Sequence, residues 1–185
     1  MLGKLEISHR FGLTEQIIVY PGNCLDFLKT VPDNTFQLVV TSPPYNIGKE
    51  YEKKIDLRTY LTQQSEVIKE CVRVLSDQGS ICWQVGNYVE DGTIIPLDTV
   101  LYPIFSELGL KMRNRIIWHF EHGLHCSRRF SGRYETVIWF TKTRNYYFNL
   151  DPVLQGKNTL RDPKLANIHA ILLEKIRVIS GLSQT

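Results

Sequence analysis

The chain lacks the ~20-residue apolar run that a membrane span requires. Its first twelve residues, MLGKLEISHRFG, contain no apolar signal-peptide core. Cysteine is sparse: Cys24, Cys71, Cys82 and Cys126 stand far apart and form no CxxC pair. Cys71 and Cys82 lie within apolar patterns and read as reduced core thiols, so the cytoplasm is the expected compartment. The twelve glycines never approach GxG or GxGxxG, so the glycine-rich strand-to-helix turn that cradles a nucleotide cofactor is missing. No internal repeat or low-complexity segment is present. The net charge is only +3, which permits a nucleic-acid partner without arguing for one. What remains is a chain of 185 residues with 43% hydrophobic content, enough for one domain with a real core.

The most informative stretch is Gln37–Ile47, QLVVTSPPYNI. Leu38-Val39-Val40 reads as a buried strand. Pro43-Pro44 forbid both ladder hydrogen bonds and helix, so residues 41–45 should form a rigid loop at the strand's C-terminal end. Open α/β sheets carry their chemistry at that edge. The loop offers a hydroxyl (Ser42), carbonyls held by proline geometry (Ser42, Pro43) and an aromatic plane (Tyr45). Such a set suits an aromatic amine, whose lone pair is delocalised into its ring. Acceptors facing its N–H bonds favour a more tetrahedral nitrogen and stabilise the positive charge that develops on attack. Tyr45 would stack on a base flipped from its duplex, worth roughly 1–3 kcal/mol. A plain strand-ending turn is the bland alternative.

TSPPYN resembles the catalytic motif of the amino-directed DNA methyltransferases, Asp/Asn/Ser-Pro-Pro followed by an aromatic residue. The resemblance is to the permuted group, in which the catalytic half precedes the cofactor half, and it covers roughly residues 16–150. RVLSDQGSICWQVG resembles that family's helix–turn–strand region, and RFSGRYETVIWFTK its strand and loop near the flipped-base pocket. The resemblance implies S-adenosylmethionine as cofactor, double-stranded DNA as partner, and no metal. It implies catalytic roles for Ser42, Pro43, Pro44 and Tyr45, with Asn46 bracing the loop. Cofactor contacts would come from Thr41, Ser42 and Asn23, the last standing where the family carries Asp.

Along the chain, strands are expected at 16–20, 80–85, 112–120 and 134–141. A short helix is expected at 24–28, a long one over 56–75 with Asp56 as N-cap, and a third over 95–108, interrupted near Pro103 and ended by Gly109. Gly79 should close the turn before the 80–85 strand, and Gly86-Asn87-Tyr88 should border the pocket. The charged loop 48–54 is placed to fold over a substrate or simply to be solvated. Between Lys111 and Arg133 there are six Lys/Arg against one acid, Glu121. Arg128, Arg129 and Arg133, with Phe130, are candidates for DNA contact, the arginines toward phosphates. His119, His122, His125 and Cys126 invite a zinc assignment, but their spacing fits no i,i+4 helix pair and no second cluster completes four ligands. From Asp162 to Gly181 an amphipathic helix is expected, its stripe set against the sheet or a partner chain.

The expected architecture is α/β: a partial Rossmann-like methyltransferase sheet with flanking helices and an antiparallel end. Residues 1–154 would form the catalytic half and 155–185 an unmatched tail, the chain being C-terminally truncated relative to the family. The expected function is methyl transfer to cytosine N4 or adenine N6, with a companion chain supplying the glycine-rich cofactor motif. A truncated, non-catalytic DNA-binding remnant is the alternative from another class. Amino methylation of RNA or of protein glutamine is a third.

Overall fold

The structure, a computed structural model, describes residues 7–15, 17–48, 54–121 and 125–149. The expected 162–181 helix, most of the 48–54 loop, Gln16 and His122 lie outside the described residues.

A four-stranded mixed sheet organises the domain. Its strands, with their companions in chain order, are β1 (Ile7–Ser8), β2 (Ile17–Ile18), α1 (Cys24–Thr30), β3 (Phe36–Thr41), α2 (Leu57–Val74), β4 (Leu75–Val85), β5 (Asn87–Glu90), β6 (Thr93–Pro96), α3 (Leu97–Glu107), β7 (Lys111–His119) and β8 (Tyr134–Thr141). The order across the main sheet is β3-β4-β8-β7. β3 and β4 run parallel, joined by the α2 crossover, while β8 is antiparallel to β4 and β7 to β8. The antiparallel end expected from sequence is thus present. β1 and β2 form a separate short parallel pair, and β5 and β6 a hairpin.

Alternation along β4 decides where the core lies. Ile81, Trp83 and Val85 have no exposed surface, whereas Ser80, Cys82 and Gln84 are half-buried. Register places Val39 beside Ile81, and Ile138 and Phe140 opposite Trp83 and Ile81. This face meets the helices. Phe105 of α3 stacks on Phe140 at 4.5 Å and meets Trp83 edge-on at 5.6 Å. Phe27 and Leu28 of α1, with Ile68 and Cys71 of α2, complete the same cluster. Burial pushes the Cys71 thiol far up, so it behaves as a small apolar side chain.

Local chemistry explains the ends of the elements. Asp56 caps α2, accepting from Thr59 N at 2.9 Å, and Asn23 caps α1, accepting from Leu25 N at 2.9 Å. Arg73, in the last turn of α2, bonds Glu70, Asp33 and the carbonyls of Val31 and Leu28, tying α2 to the end of α1. Gly109 ends α3 with φ +82°.

Three expectations need correction. Gly79 does not end an element; it lies inside β4. Between the pairs Phe36–Leu75 and Leu38–Ser80, two steps along β3 match five along β4, so the expected turn survives as a bulge within one strand. A Cβ at Gly79 would sit 2.7 Å from Leu75 Cδ1, which explains the glycine. Pro103 does not interrupt α3, which runs continuously through it. The first strand is only Ile17–Ile18 among the described residues. The β5–β6 hairpin is an element that the helix and strand expectations passed over. Its turn, Asp91-Gly92 at φ 48° and 77°, is the Asp-Gly pair that two-residue hairpins prefer.

Candidate active site

Strand β3 delivers the SPPY loop to the sheet's C-terminal edge. Thr41 is the last residue of β3, buried and in register with Trp83. Ser42 is exposed, Pro43 is buried, and Pro44 and Tyr45 are half-buried. The carbonyl of Pro44 accepts from the hydroxyl of Tyr60, in the first turn of α2, at 3.0 Å. Asn46 adopts φ 59° and is buried. Its side chain makes two bonds to one residue: Nδ2 donates to Ile55 O at 2.7 Å, and Ile55 N donates to Oδ1 at 2.8 Å. That pair pins the loop's exit to the start of α2.

Tyr45 is held from three sides. Its ring lies against Gly86, where a Cβ would fall 3.1 and 3.2 Å from Cδ2 and Cε2. Its hydroxyl donates to Glu135 Oε2 at 3.1 Å and shares a 2.9 Å hydrogen bond with Ser42 Oγ. Gln84 Nε2 donates to the same Glu135 oxygen at 2.6 Å. Burial, aided by the neighbouring Glu135 charge, pushes the Tyr45 phenol up to about 12. Tyr45 is therefore a neutral hydroxyl at physiological pH.

Glu135 and Gln84 were not among the residues singled out by sequence, although Glu135 falls in the RYE of the quoted RFSGRYETV stretch. Gly86 was expected to border the pocket, and the structure sets it under Tyr45.

The remaining candidates lie apart from this cluster or beside it. Asn23 Oδ1 is engaged with Leu25 N of its own helix. Arg128, Arg129 and Phe130 are exposed, Phe130 almost completely, and Arg133 is half-buried. Arg129 Nη1 reaches Gly92 O of the β5–β6 turn at 3.5 Å, and Gly132 lies beside Asn87. The 125–133 segment is thereby held alongside the hairpin that continues from Gly86. Among the described residues no group of three or more His, Cys, Asp or Glu is placed to hold a metal ion.

The residues at hand match one end of S-adenosylmethionine better than the other. The hydroxyl and carbonyl acceptors of Ser42–Pro43 suit the place where a methyl group meets an amine. A glycine cradle for the adenosine end is not found among the described residues: the space a side chain would take at Gly22 is filled by the Tyr20 ring, 2.7 Å from the Cβ position.

A family profile described as DNA methylase (N6/N4) matches residues 36–175, continuing past residue 150. The type II methyltransferase M.BglII of Bacillus subtilis is 52% identical over 136 residues, which span 73% of this chain and 38% of that protein. The DNA adenine methyltransferase YhdJ of Escherichia coli K12 is 31% identical over 155 residues, 81% of this chain and 49% of that protein. The chain therefore spans about two-fifths to half the length of these relatives. Among solved structures, the cytosine-N4-specific PvuII DNA methyltransferase superposes with a TM-score of 0.64 at 22% identity, over 74% of this chain and 52% of that one. A DNA modification methylase of Thermus thermophilus complexed with S-adenosyl-L-methionine gives 0.56 at 24% identity, over 80% and 63%. The fold is that of the S-adenosylmethionine-dependent methyltransferases.

Proposed function

The chain belongs to the N6/N4 DNA methylase family, and from that membership we propose that it forms the transfer half of a type II modification enzyme acting on the exocyclic amine of cytosine (N4) or adenine (N6) in duplex DNA. One observation carries the proposal: the SPPY loop stands at the C-terminal end of β3 with its hydroxyl exposed and its tyrosine tethered. S-adenosylmethionine, when bound, supplies a methyl group made electrophilic by a sulfonium.

The chain's own residues do the rest. The Ser42 hydroxyl oxygen and the Pro43 carbonyl accept the N–H bonds of the target amine. This draws its lone pair out of the ring and compensates the charge that develops as nitrogen bonds carbon. Tyr45 stacks on the flipped base, while Asn46 and Tyr60 keep the loop from shifting. The surplus proton leaves the nitrogen during or after transfer, so no strong base is required beforehand. Thr41 and Ser42 border the methyl-bearing end of the cofactor. Arg128, Arg129 and Arg133 pair with phosphates beside the opened base pair, and Phe130 contacts the DNA. The adenosine end is held by a glycine-rich turn from a further segment, in the same or a companion polypeptide; the length of the relatives supports this.

The test is methyl transfer from labelled S-adenosylmethionine to duplex DNA, RNA and protein, with and without a polypeptide carrying the glycine-rich half. Transfer to DNA amines, cut at least a hundredfold by Ser42→Ala or Tyr45→Ala while DNA affinity holds, is the expected result. DNA binding with no transfer under any combination would instead mark a non-catalytic DNA-binding remnant.

A further inference from the structure

The tether on Tyr45 has a direction. The phenol carries one proton, and it points to Glu135 Oε2 at 3.1 Å. The same oxygen also receives Gln84 Nε2 at 2.6 Å, so it faces two donors and acts as an acceptor. With its proton committed, Tyr45 Oη can take part in the 2.9 Å contact with Ser42 Oγ only as acceptor. Ser42 must then be the donor there, and its hydroxyl proton is turned away from the place where an amine would sit. What Ser42 presents outward is lone pairs. β8 reaches the loop for this purpose from 90 residues away in sequence.

We propose that Glu135, braced by Gln84, is a positioning residue that sets the donor–acceptor sense of the Tyr45–Ser42 pair and so makes Ser42 an acceptor toward the target amine. The inference rests on the methyl-transfer function proposed above. Without the carboxylate, the Tyr45 proton can turn to Ser42. The Ser42 proton is then free to point at the amine, where it opposes two N–H donors. Geometry is kept while the sense is lost.

Two experiments test this. In the purified chain, fluorotyrosine placed at position 45 titrates in an accessible range and is followed by fluorine NMR. Glu135→Gln should lower its pKa toward that of a free fluorophenol, because the neighbouring charge and the acceptor are both lost. An unmoved titration overturns the inference. In the system that transfers methyl groups, Glu135→Gln should lower turnover roughly tenfold with DNA affinity unchanged, about the worth of one charge-assisted hydrogen bond. In a Tyr45→Phe background it should cost nothing further, since no phenol proton remains to direct. Losses that add in the double variant overturn the positioning role and indicate mere structural damage. Where E135Q fails to fold, Glu135→Asp replaces it: withdrawing the acceptor by one carbon should give the same Tyr45-dependent loss. If no preparation transfers methyl groups, the proposed function fails, and the fluorine titration still decides whether Glu135 directs Tyr45.

Discussion

The two faces of the sheet are built to different standards. On one, Val39, Ile81, Trp83, Val85, Ile138 and Phe140 are buried under α1, α2 and α3. On the other, their sequence neighbours Leu38, Val40, Cys82, Val137 and Trp139 are only half-buried, and β7 adds Ile116 and Trp118, 46% and 60% exposed. Among the described residues no helix packs there; Tyr146 and Phe148 cover part of it by meeting Trp139 at 5.6 and 5.3 Å. A sheet face this apolar and this open is more than the scattered exposed side chains that a soluble surface normally carries. The closed face supplies stability. The open face, with Gln84 and Glu135 at its edge, supplies the site's tether.

The sharpest way to break this comparison is to truncate one aromatic on each face. Phe105→Ala should cost about 3–5 kcal/mol in urea denaturation, because it empties the stack between Trp83 and Phe140. Trp139→Ala should cost about 1–2 kcal/mol, as befits a half-buried ring. Equal losses would mean that the open face is covered in solution. A second pair tests the site. Gly86→Ala should lower turnover while leaving stability within about 1 kcal/mol, since its Cβ displaces the Tyr45 ring by only a few tenths of an ångström. A drop in stability with unchanged turnover would separate the ring from the reaction.

Much of the closed face was legible in the sequence because it rests on local periodicity. The α2 stripe, the Asp56 cap and the 134–141 strand need only neighbours a few residues away. The TSPPYN loop was legible for a similar reason: two prolines after an apolar run determine its conformation by themselves. The tether was not. Nothing near Tyr45 shows that Glu135, 90 residues on, or Gln84, from a third strand, will converge on its hydroxyl. That convergence follows from the β3-β4-β8 strand order, which periodicity does not reveal. The β5–β6 hairpin escaped because its strands have four residues each, too short for alternation to stand out beside the longer patterns.

A smaller effect probes the seam where the closed face meets the loop. Tyr60 is buried on α2 yet sends its hydroxyl to Pro44 O. Tyr60→Phe should cost about 1 kcal/mol in denaturation, with the larger consequence in turnover if that bond steadies the loop. Equal turnover in the variant would show that the prolines and Asn46 suffice.

The same seam should respond to acid. The Thr59 hydroxyl, 2.6 Å from Oδ2, and then the Thr59 N–H at Oδ1 hold the Asp56 carboxyl below its usual range. A carboxyl depressed in the folded state stabilises the fold above its unfolded pKa of about 3.9. That contribution is lost as pH falls through the lower folded value. Asp56→Asn keeps an acceptor for the helix N–H but cannot titrate. Wild type should therefore be the more stable of the two at neutral pH, and the difference should shrink as pH drops below about 4. Urea midpoints against pH check this, and a difference that stays constant would assign it to packing. Asp56 follows Ile55, whose backbone clamps Asn46, so protonating the cap loosens the same turn that holds the exit of the SPPY loop. Acid should accordingly weaken the loop's anchorage before it disturbs the Phe105 stack, which contains no titrating group.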